Sequence, residues 1–526
     1  MAGKVVSPGT GEHDQMRLSC PGVRGSDPRW EAPLQSVHGF HNPERLHKVC
    51  LAELGGLSRS EPQQALTRRE VGQCMPNLQP HHWYRRVFLL AIPLILSNLT
   101  QPLLSTVDTI LSGHLPGPAA LGGVAVGGIF FNAIFWTFGF LRMGTTGLVA
   151  QAHGARDLHG LRLHFLRAML SALAIGALLL LLHGPLIDST MGLLGAGGAV
   201  RENALIYCRI RIWSAPAALA NYVILGSLLG RQRARTALVL QAAINVVNVL
   251  AALWLVMRLH WGVAGIATAT LCAEWVGCGL GLLLLEWRRR QAERQTDAVR
   301  IRWRDLAHRP SLRALFSLNR DIFLRTLGLV AAYAWFTRIG AHQGDATLAA
   351  NAVLLNLHMI ASYGLDGFAN ATEALVGESI GARRRADYHA ILRASTVSAF
   401  AVAALISLFY LLCGAQIVGL FSNQAAVRML ALHYLPWAVA MPVVAVAGFQ
   451  LDGVFIGATR ARELRDSMLI SFAGYWLLAM LLVPRMGNNG LWCAFLCFMI
   501  LRGANLALRL PSIEKGFDLP LPVSSN

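Results

Sequence analysis

The chain has 526 residues, of which 54% are hydrophobic and only 14% are charged, and its formal net charge is +18. Soluble domains carry about 25% charged residues, so this composition argues against a soluble protein and predicts a polytopic membrane protein. Its cations lie between apolar segments, which indicates membrane topology rather than a nucleic-acid partner.

Residues 1–80 differ in composition from the rest of the chain. They are rich in Gly, Pro and His, and they contain no apolar run long enough for the core of a signal peptide. We expect either a disordered extension or sequence upstream of the true start. Met75 is a suitable initiator because it opens a short polar and basic leader before the first apolar segment.

The first apolar segment carries a carboxylate. Residues 87–107 contain no charged side chain, and Asp108 follows directly. About 20 apolar residues suffice to cross a bilayer, but an Asp inside it costs roughly 2.5–3.5 kcal/mol. Pro93 and Pro102 lie in the same segment, and each favours a kink in a helix. We therefore expect a bendable helix in which Asp108 binds a proton, with an ion pair to an arginine as the structural alternative.

Twelve apolar segments are long enough to cross a bilayer. The loops after every second segment carry arginine clusters, and the intervening loops carry almost none. By the positive-inside rule, both termini are expected in the cytoplasm. The predicted spans cover residues 87–112, 119–146, 166–187, 204–229, 235–257, 262–286, 322–341, 347–377, 390–413, 428–455, 465–484 and 488–509.

An internal repeat divides these spans into two sets of six. The pattern GxxRAR at 230–235 recurs at 457–462, and residues 148–156 share a Leu-Val and Gly-Ala-Arg pattern with 375–383, both at a separation of 227 residues. The fold class predicted is an all-α polytopic membrane protein with two six-helix bundles related by a parallel repeat. A cavity between two such bundles predicts alternating access. The predicted domains are an extension at 1–80, bundles at 81–287 and 321–510, an Arg-rich cytoplasmic linker at 288–320 and a cytoplasmic tail at 511–526.

Polar residues within the first bundle form two pairs at helical spacing. Asn245 and Asn248 share one helix face, and Thr270 and Glu274 share another. We expect them to converge on Asp108 and to hydrogen-bond it in either protonation state. The structural alternative is interhelical bonding, which is worth about 0.6 kcal/mol per bond in membranes.

The second bundle offers three acids within spans. Asp366 and Glu373 are seven residues apart on one helix, and Glu373 is expected to pair with the arginine cluster at 381–385. Asp452 is expected either to face the cavity or to pair with Arg460. In the first bundle, Arg142 lies near a span end and is expected to extend its guanidinium to the membrane surface.

The sequence contains no Walker A loop, GxSxG, HExxH or Cys/His metal spacing. We therefore expect neither an enzyme nor a cofactor nor a metal site. Without a nucleotide-binding loop, an ion gradient must supply the energy for transport.

Several longer motifs surround these residues. They are VDTILSGHL (107–115), LRMGTTGLVAQAHGA (141–155), RIWSAPAALAN (211–221), LNRDI (318–322), YGLDGFANATEA (363–374) and LDGVFIGATRARELRDSM (451–468). Through this set, and Pro93 upstream of it, the chain resembles the multidrug and toxic compound extrusion (MATE) family over about residues 80–510, and most closely its DNA-damage-inducible protein F subfamily.

The resemblance implies antiport, in which a proton or sodium ion enters while an amphipathic, usually cationic, compound leaves. It implies proton coupling at Asp108, bending near Pro93 and supporting polar groups at Asn248 and Thr270. Ala252 stands where the family has a second acid on the fifth span. Protons are therefore favoured over sodium.

In the second bundle, Asp452 matches an acid of the sodium-linked members, but the acid of their seventh span is absent from residues 326–341. One rival function is a flippase of the same superfamily for a lipid-linked saccharide, which would favour a cationic cavity. Others are a membrane-embedded transferase and a structural scaffold or receptor. We expect a monomer in a bacterial inner membrane, handling small amphipathic substrates.

Overall fold

The computed structural model describes residues 80–195, 197–293 and 301–518, without the side chains of 80–81, 101–105, 288–289 and 292–293. Residues 1–79, including Met75, lie outside this part. Regular structure within the described ranges is helical. The α-helices are α1 Pro80–Gly113, α2 Pro118–Thr137, α3 Phe140–Gly154, α4 Leu158–Leu181, α5 His183–Leu193, α6 Gly198–Arg211, α7 Ala215–Gly230, α8 Ala234–Leu253, α9 Gly262–Glu293, α10 Trp303–Leu306, α11 Arg309–Ala341, α12 Asp345–Gly381, α13 Arg385–Phe421, α14 Ala425–Gly457, α15 Ala461–Met486, α16 Asn488–Ala507 and α17 Leu510–Glu514.

Eleven helical segments of the described chain are long and apolar enough to cross a membrane. Three of them join α-helices end to end: α2 with α3, α6 with α7 through a 3₁₀ turn at Ile212–Ser214, and α16 with α17. With α1, which has 34 residues, the segments agree with the expected twelve. Large apolar side chains such as Leu181, at 79% exposed, cover the outside of the molecule, as expected for a surface in contact with lipid.

Some span boundaries differ from those predicted. The third span begins at Leu158 rather than 166, and the seventh begins at Arg309 rather than 322. In both cases an amphipathic stretch of at least two helical turns precedes the apolar run, and hydropathy does not register such a stretch although the helix continues through it. Helices α9 and α11 therefore extend into the range predicted as a linker.

The internal repeat is visible in helix packing. A Cβ on Gly230 would lie 2.7 Å from the carbonyl oxygen of Thr146, and one on Gly457 would lie 2.4 Å from that of Glu373. These two contacts are related by the same 227 residues as the sequence motifs. Only glycine permits backbones to approach this closely. The two six-helix lobes therefore share a scaffold, and the predicted parallel repeat is confirmed.

The lobes meet where α3 crosses α12. A Cβ on Gly154 would lie 2.0 Å from the carbonyl oxygen of Glu378, and one on Gly381 would lie 1.9 Å from that of Gln151. Gly154 and Gly381 are repeat equivalents, and so are the residues they pack against, Gln151 and Glu378. The two contacts are therefore related by the internal repeat. We call this the glycine crossing.

Polar side chains surround the glycine crossing. Arg86 donates to Glu378 at 2.6 Å, and Gln232 donates to the same carboxylate. Gln151 donates to the carbonyl of Gly457 at 2.9 Å. These contacts lie beside the loops 154–158, 230–234, 381–385 and 457–461, which we call the arginine-rich end. The two lobes are therefore closed against each other at this end.

Candidate functional site

Asp108 lies near the end of α1 and is 6% exposed. Its Oδ1 atom is buried and has no hydrogen-bond partner among the described residues. Burying an unpaired polar atom costs about 1–3 kcal/mol. The surroundings of Asp108 therefore impose no fixed hydrogen bond on this oxygen.

A half-buried arginine, Arg211, interacts electrostatically with Asp108. Arg211 ends α6, its guanidinium lies 4.7 Å from the centroid of the Phe131 ring, and it donates a hydrogen bond to the Tyr207 hydroxyl. It interacts electrostatically with Asp108 and with Glu274. A guanidinium is effectively always protonated in proteins, so the first lobe holds a permanent positive charge that interacts with two carboxyl groups.

The polar pairs predicted on the fifth and sixth spans are divided in the structure. Asn248 on α8 donates to Thr270 on α9 at 2.9 Å, and both are buried. Glu274, one turn farther along α9, instead accepts from Asn221 of α7 at 2.7 Å. Asn245 donates to the Thr100 carbonyl of α1 at 3.3 Å, so it ties α8 to α1 rather than joining Asn248.

Pro93 is buried in α1, upstream of Asp108. The helix is assigned continuously from Pro80 to Gly113 through Pro93. Two turns of α1 near this proline contact the second lobe. Asn98 donates to the Tyr363 carbonyl of α12 at 3.2 Å, and Ile95 packs where Gly367 has no side chain.

In the second lobe, Asp452 lies between two arginines. Arg325 of α11 and Arg502 of α16 both donate to its Oδ2, and all three side chains are buried. The predicted alternative of a pair with Arg460 is wrong, because Arg460 donates to Glu463 at 3.2 Å, one turn along its own helix.

The pairing expected for Glu373 is also wrong. Glu373 is 1% exposed and interacts with Arg142 and Thr146 of α3. The acid that pairs with the arginine cluster is Glu378, which lies 3.6 Å from Arg384. Glu378 is about one and a half helical turns closer to this loop than Glu373 is.

Asp366 and Arg142 lie near the boundary between the lobes. Arg142 donates to the Asn370 side chain of α12 at 3.1 Å, so it crosses to the second lobe instead of reaching the membrane surface as predicted. Asp366 interacts electrostatically with Arg142, Arg325 and Arg502. The structure brings this acid close to cations of both lobes.

The arginines inside the lobes were not found from the sequence. Arg211, Arg325 and Arg502 fall within or beside predicted spans, where a cation is as unusual as an acid. Their position in apolar segments was the available signal. The positive-inside rule assigns arginines to loops, and applying it to every arginine hid the three that lie within spans. Across 80–195, 197–293 and 301–518, no group of three or more His, Cys, Asp or Glu side chains is arranged to hold a metal ion.

Comparison with known proteins agrees with this geometry. The MatE family model matches the chain twice, at residues 93–254 and 322–484, once in each lobe. DNA damage-inducible protein F of Escherichia coli K12 is 43% identical over 418 residues, which cover 80% of this chain and 90% of that protein. The probable multidrug resistance protein NorM of Acinetobacter baylyi is 23% identical over 446 residues, covering 81% and 95% of the two chains.

Solved structures share the fold. A multidrug resistance MATE family transporter of the MOP superfamily in an outward-facing conformation superposes with a TM-score of 0.73 at 21% identity, covering 82% of this chain and 97% of that one. A MATE structure described as the bent conformation gives a TM-score of 0.74 at 20% identity, covering 84% and 99%.

Proposed function

The chain belongs to the MATE family of multidrug efflux transporters, and from this membership we propose that it exports amphipathic or cationic compounds in exchange for protons by alternating access. It is a multi-pass membrane protein. The proposed setting is a bacterial inner membrane with both termini in the cytoplasm.

Asp108 is the single observation that carries the proposal. It is buried on a membrane helix, one of its oxygens has no partner in the described structure, and a fixed cation, Arg211, is close enough to interact with it. Protonation removes its charge and hence its attraction to Arg211. A cationic substrate favours the ionised form, so proton and substrate compete through one carboxyl group, as linkage requires.

Helix α1 offers a route from Asp108 to the boundary between the lobes. The part of α1 that holds Pro93 also holds Ile95 and Asn98, which contact α12. Bending at Pro93 would shift these contacts, because a proline lacks the N–H that would otherwise stiffen the helix. We propose that protonation of Asp108 and this bend together expel the substrate.

The test is substrate-induced proton release from proteoliposomes, run with and without sodium. Wild-type protein should release protons when a lipophilic cation such as tetraphenylphosphonium is added, whether or not sodium is present. Asp108→Asn should fold, and its proton release should fall to background. Asp188→Asn changes an exposed acid on α5 and is the matched control. Wild-type proton release from Asp108→Asn would contradict the assignment.

A second candidate function follows from Arg325 and Arg502. The flippase alternative requires a cationic cavity, and these two buried arginines supply cations to the second lobe. Anionic amphipaths are the substrates such a lobe would favour. The same liposomes distinguish the candidates, since an anionic bile salt would then be exported faster than tetraphenylphosphonium, with the order reversed for a cation exporter.

A further inference from the structure

A groove on the outside of the second lobe lies between α13 and α14, close to the arginine-rich end. Leu510 of α17 borders it, and its volume is about 390 Å³. Val397 and Phe400 of α13 line the groove and are 50% and 38% exposed, so it faces lipid. Small-molecule sites in proteins have volumes of about 300–1,000 Å³. The groove is therefore large enough to hold part of an amphipathic ligand.

The face of α13 that lines this groove changes from basic to apolar. His389, Arg393, Thr396 and Phe400 follow one another at spacings of three or four residues, which places them on one side of the helix. His389 and Arg393 are the closest of the four to the arginine-rich end, and both are exposed. A ligand in the groove would meet a cation first and apolar side chains farther along.

The acid nearby is already paired. Glu514 of α17 lies 3.4 Å from Arg385 and 3.9 Å from His389. Arg393 makes no ion pair within the part of the chain that the structure describes. The guanidinium of Arg393 is therefore the group in the groove that lacks a counter-charge, and it favours an anionic ligand.

The position of Arg393 along α13 matches the depth of lipid phosphates. The helix has 37 residues and is therefore about 55 Å long, whereas the hydrocarbon core of a bilayer is about 30 Å thick. With α13 centred in the bilayer, about eight residues at each end extend beyond the core. Arg393 is the ninth residue of the helix, so it lies at the edge of the core, where phosphate groups begin.

Gln450 of α14 adds an acceptor without a donor to the wall of the groove. It is 2% exposed, and its Nε2 atom donates to the hydroxyls of Thr372 and Ser395, each at 2.6 Å. Both hydroxyls donate to backbone carbonyls about one turn earlier, so they can only accept from Gln450, and this fixes the orientation of its amide. The Oε1 atom is buried and has no partner among the described residues. Leaving a buried acceptor without a donor is costly.

The internal repeat shows that packing does not require these polar groups. Helices α4 and α13 begin at Leu158 and Arg385, which are 227 residues apart, so α4 is the equivalent of α13 in the first lobe. The polar residues of the groove have apolar equivalents there: Leu166 for Arg393, Met169 for Thr396 and Val223 for Gln450. The same scaffold is thus built without the cation or the acceptor, which points to a ligand as the reason for them.

We propose that the groove between α13 and α14 binds a lysophospholipid, an anionic lipid with one acyl chain and one free glycerol hydroxyl, from the leaflet at the arginine-rich end. Its phosphate would lie at Arg393, its glycerol hydroxyl would donate to Gln450 Oε1, and its chain would cover Val397 and Phe400. Basic pockets between membrane helices are typical sites for anionic lipid headgroups.

The order of the groups distinguishes this ligand from an ordinary phospholipid. Gln450 bonds Ser395, which is two residues, or about 3 Å, farther from the arginine-rich end than Arg393. A lysophospholipid has its free hydroxyl between the phosphate and the chain, in the same order. A diacyl phospholipid has both of these glycerol oxygens esterified and offers no donor at this depth. The inference concerns a lipid partner and does not depend on the transported ion or compound.

Thermal unfolding of the purified full-length protein in detergent tests the proposal. The unfolding midpoint is measured with oleoyl lysophosphatidic acid, with dioleoyl phosphatidic acid, which lacks the hydroxyl, and with monoolein, which lacks the phosphate. A ligand that binds only the folded state raises the midpoint. Wild-type protein should be stabilised by a few degrees by lysophosphatidic acid and by less with either of the other two lipids.

Three variants assign the effect to the groove. Gln450→Val, which installs the residue of the first lobe, should respond equally to lysophosphatidic acid and phosphatidic acid. Arg393→Leu should respond to lysophosphatidic acid no more than to monoolein. Arg462→Leu removes another exposed arginine at the same end and should behave as wild type.

Equal stabilisation of wild type by lysophosphatidic acid and phosphatidic acid would overturn the proposal, and this comparison needs no variant to fold. Equal losses in Arg393→Leu and Arg462→Leu would also overturn it, because the lipid would then respond to the general charge of the arginine-rich end. Both substitutions are at exposed positions, so they test the site even if Gln450→Val does not fold. Neither result would bear on the proton release proposed above.

Discussion

Asp108 and Asp452 are both buried carboxylates on membrane helices, but their surroundings give them different properties. Asp452 accepts hydrogen bonds from two arginines, whereas Asp108 retains an oxygen without a partner in the described structure. A carboxylate fixed between two guanidinium groups is stabilised as an anion. We therefore propose Asp108 as the residue that exchanges a proton, whereas Asp452 holds α11, α14 and α16 together.

This difference leads to a prediction for Asp452→Asn. The variant leaves Arg325 and Arg502 buried without their counter-charge, and breaking a buried ion pair costs about 3–5 kcal/mol. The thermal unfolding midpoint in detergent should therefore fall by several degrees. Asp188→Asn, at an exposed acid, should leave the midpoint unchanged. A wild-type midpoint for Asp452→Asn would show that the arginines find other partners.

The sequence predicts individual polar residues better than their partners. Asp108 and Asp452 stand out because acids are rare in apolar spans, and helical spacing correctly places Thr270 and Glu274 on one helix. Their partners come from other helices, however, and depend on how each helix is rotated. The contacts of Asn221 with Glu274 and of Arg325 with Asp452 could not be obtained from spacing within one span.

Among the helices, α3 and α12 define the boundary between the lobes. Their glycine crossing is formed by backbone atoms, and its geometry depends on the absence of two side chains. The sequence predicted these two helices and their repeat relation because the Gly-Ala-Arg pattern marks both ends. It did not predict that the two patterns are in contact, because a repeat shows which residues are equivalent but not which residues touch.

A methyl group at the glycine crossing should prevent its closure. In Gly381→Ala the new Cβ would lie 1.9 Å from the Gln151 carbonyl oxygen, and neither helix backbone can move locally to relieve the clash. We expect the arginine-rich end to open, which crosslinking between cysteines placed on α3 and α12 would detect as lost yield. Gly279→Ala, on α9 where the Cβ meets nothing within 4 Å, should leave the yield unchanged. Equal yields in the two variants would contradict this account.

At the scale of the whole molecule, the arginine clusters lie at one end of the helices. Even a partly buried arginine of these clusters keeps its charge. Burial, together with the nearby Arg162, lowers the pKa of Arg231 to about 10, which is still well above physiological pH. A cationic end is retained on the cytoplasmic side during insertion. The number of spans was therefore predictable from hydropathy, while the closure between the lobes required the structure; the direction of the spans stays a prediction from charge.

Orientation can be measured by labelling single cysteines in a cysteine-free background. A membrane-impermeant maleimide applied to intact cells should label Pro116→Cys, in the loop before α2, and Asp345→Cys, at the start of α12, because no arginine cluster lies beside either position. It should label Ala386→Cys, beside the cluster at 381–385, only after permeabilisation. Labelling of Ala386→Cys in intact cells would reverse the proposed topology.

Folding of each lobe must precede the glycine crossing that joins them. Gly154 and Gly381 are 227 residues apart in the chain, and contacts of such high sequence separation form late because loop closure opposes them. Domains generally fold as units, beginning with the N-terminal one during synthesis. We therefore expect the first lobe to complete its own packing before α12 has been made, and docking of the lobes to be the final step of assembly. Until then, the small-residue surface of α3 faces lipid, and the nascent first lobe is the species most exposed to pairing with a wrong helix.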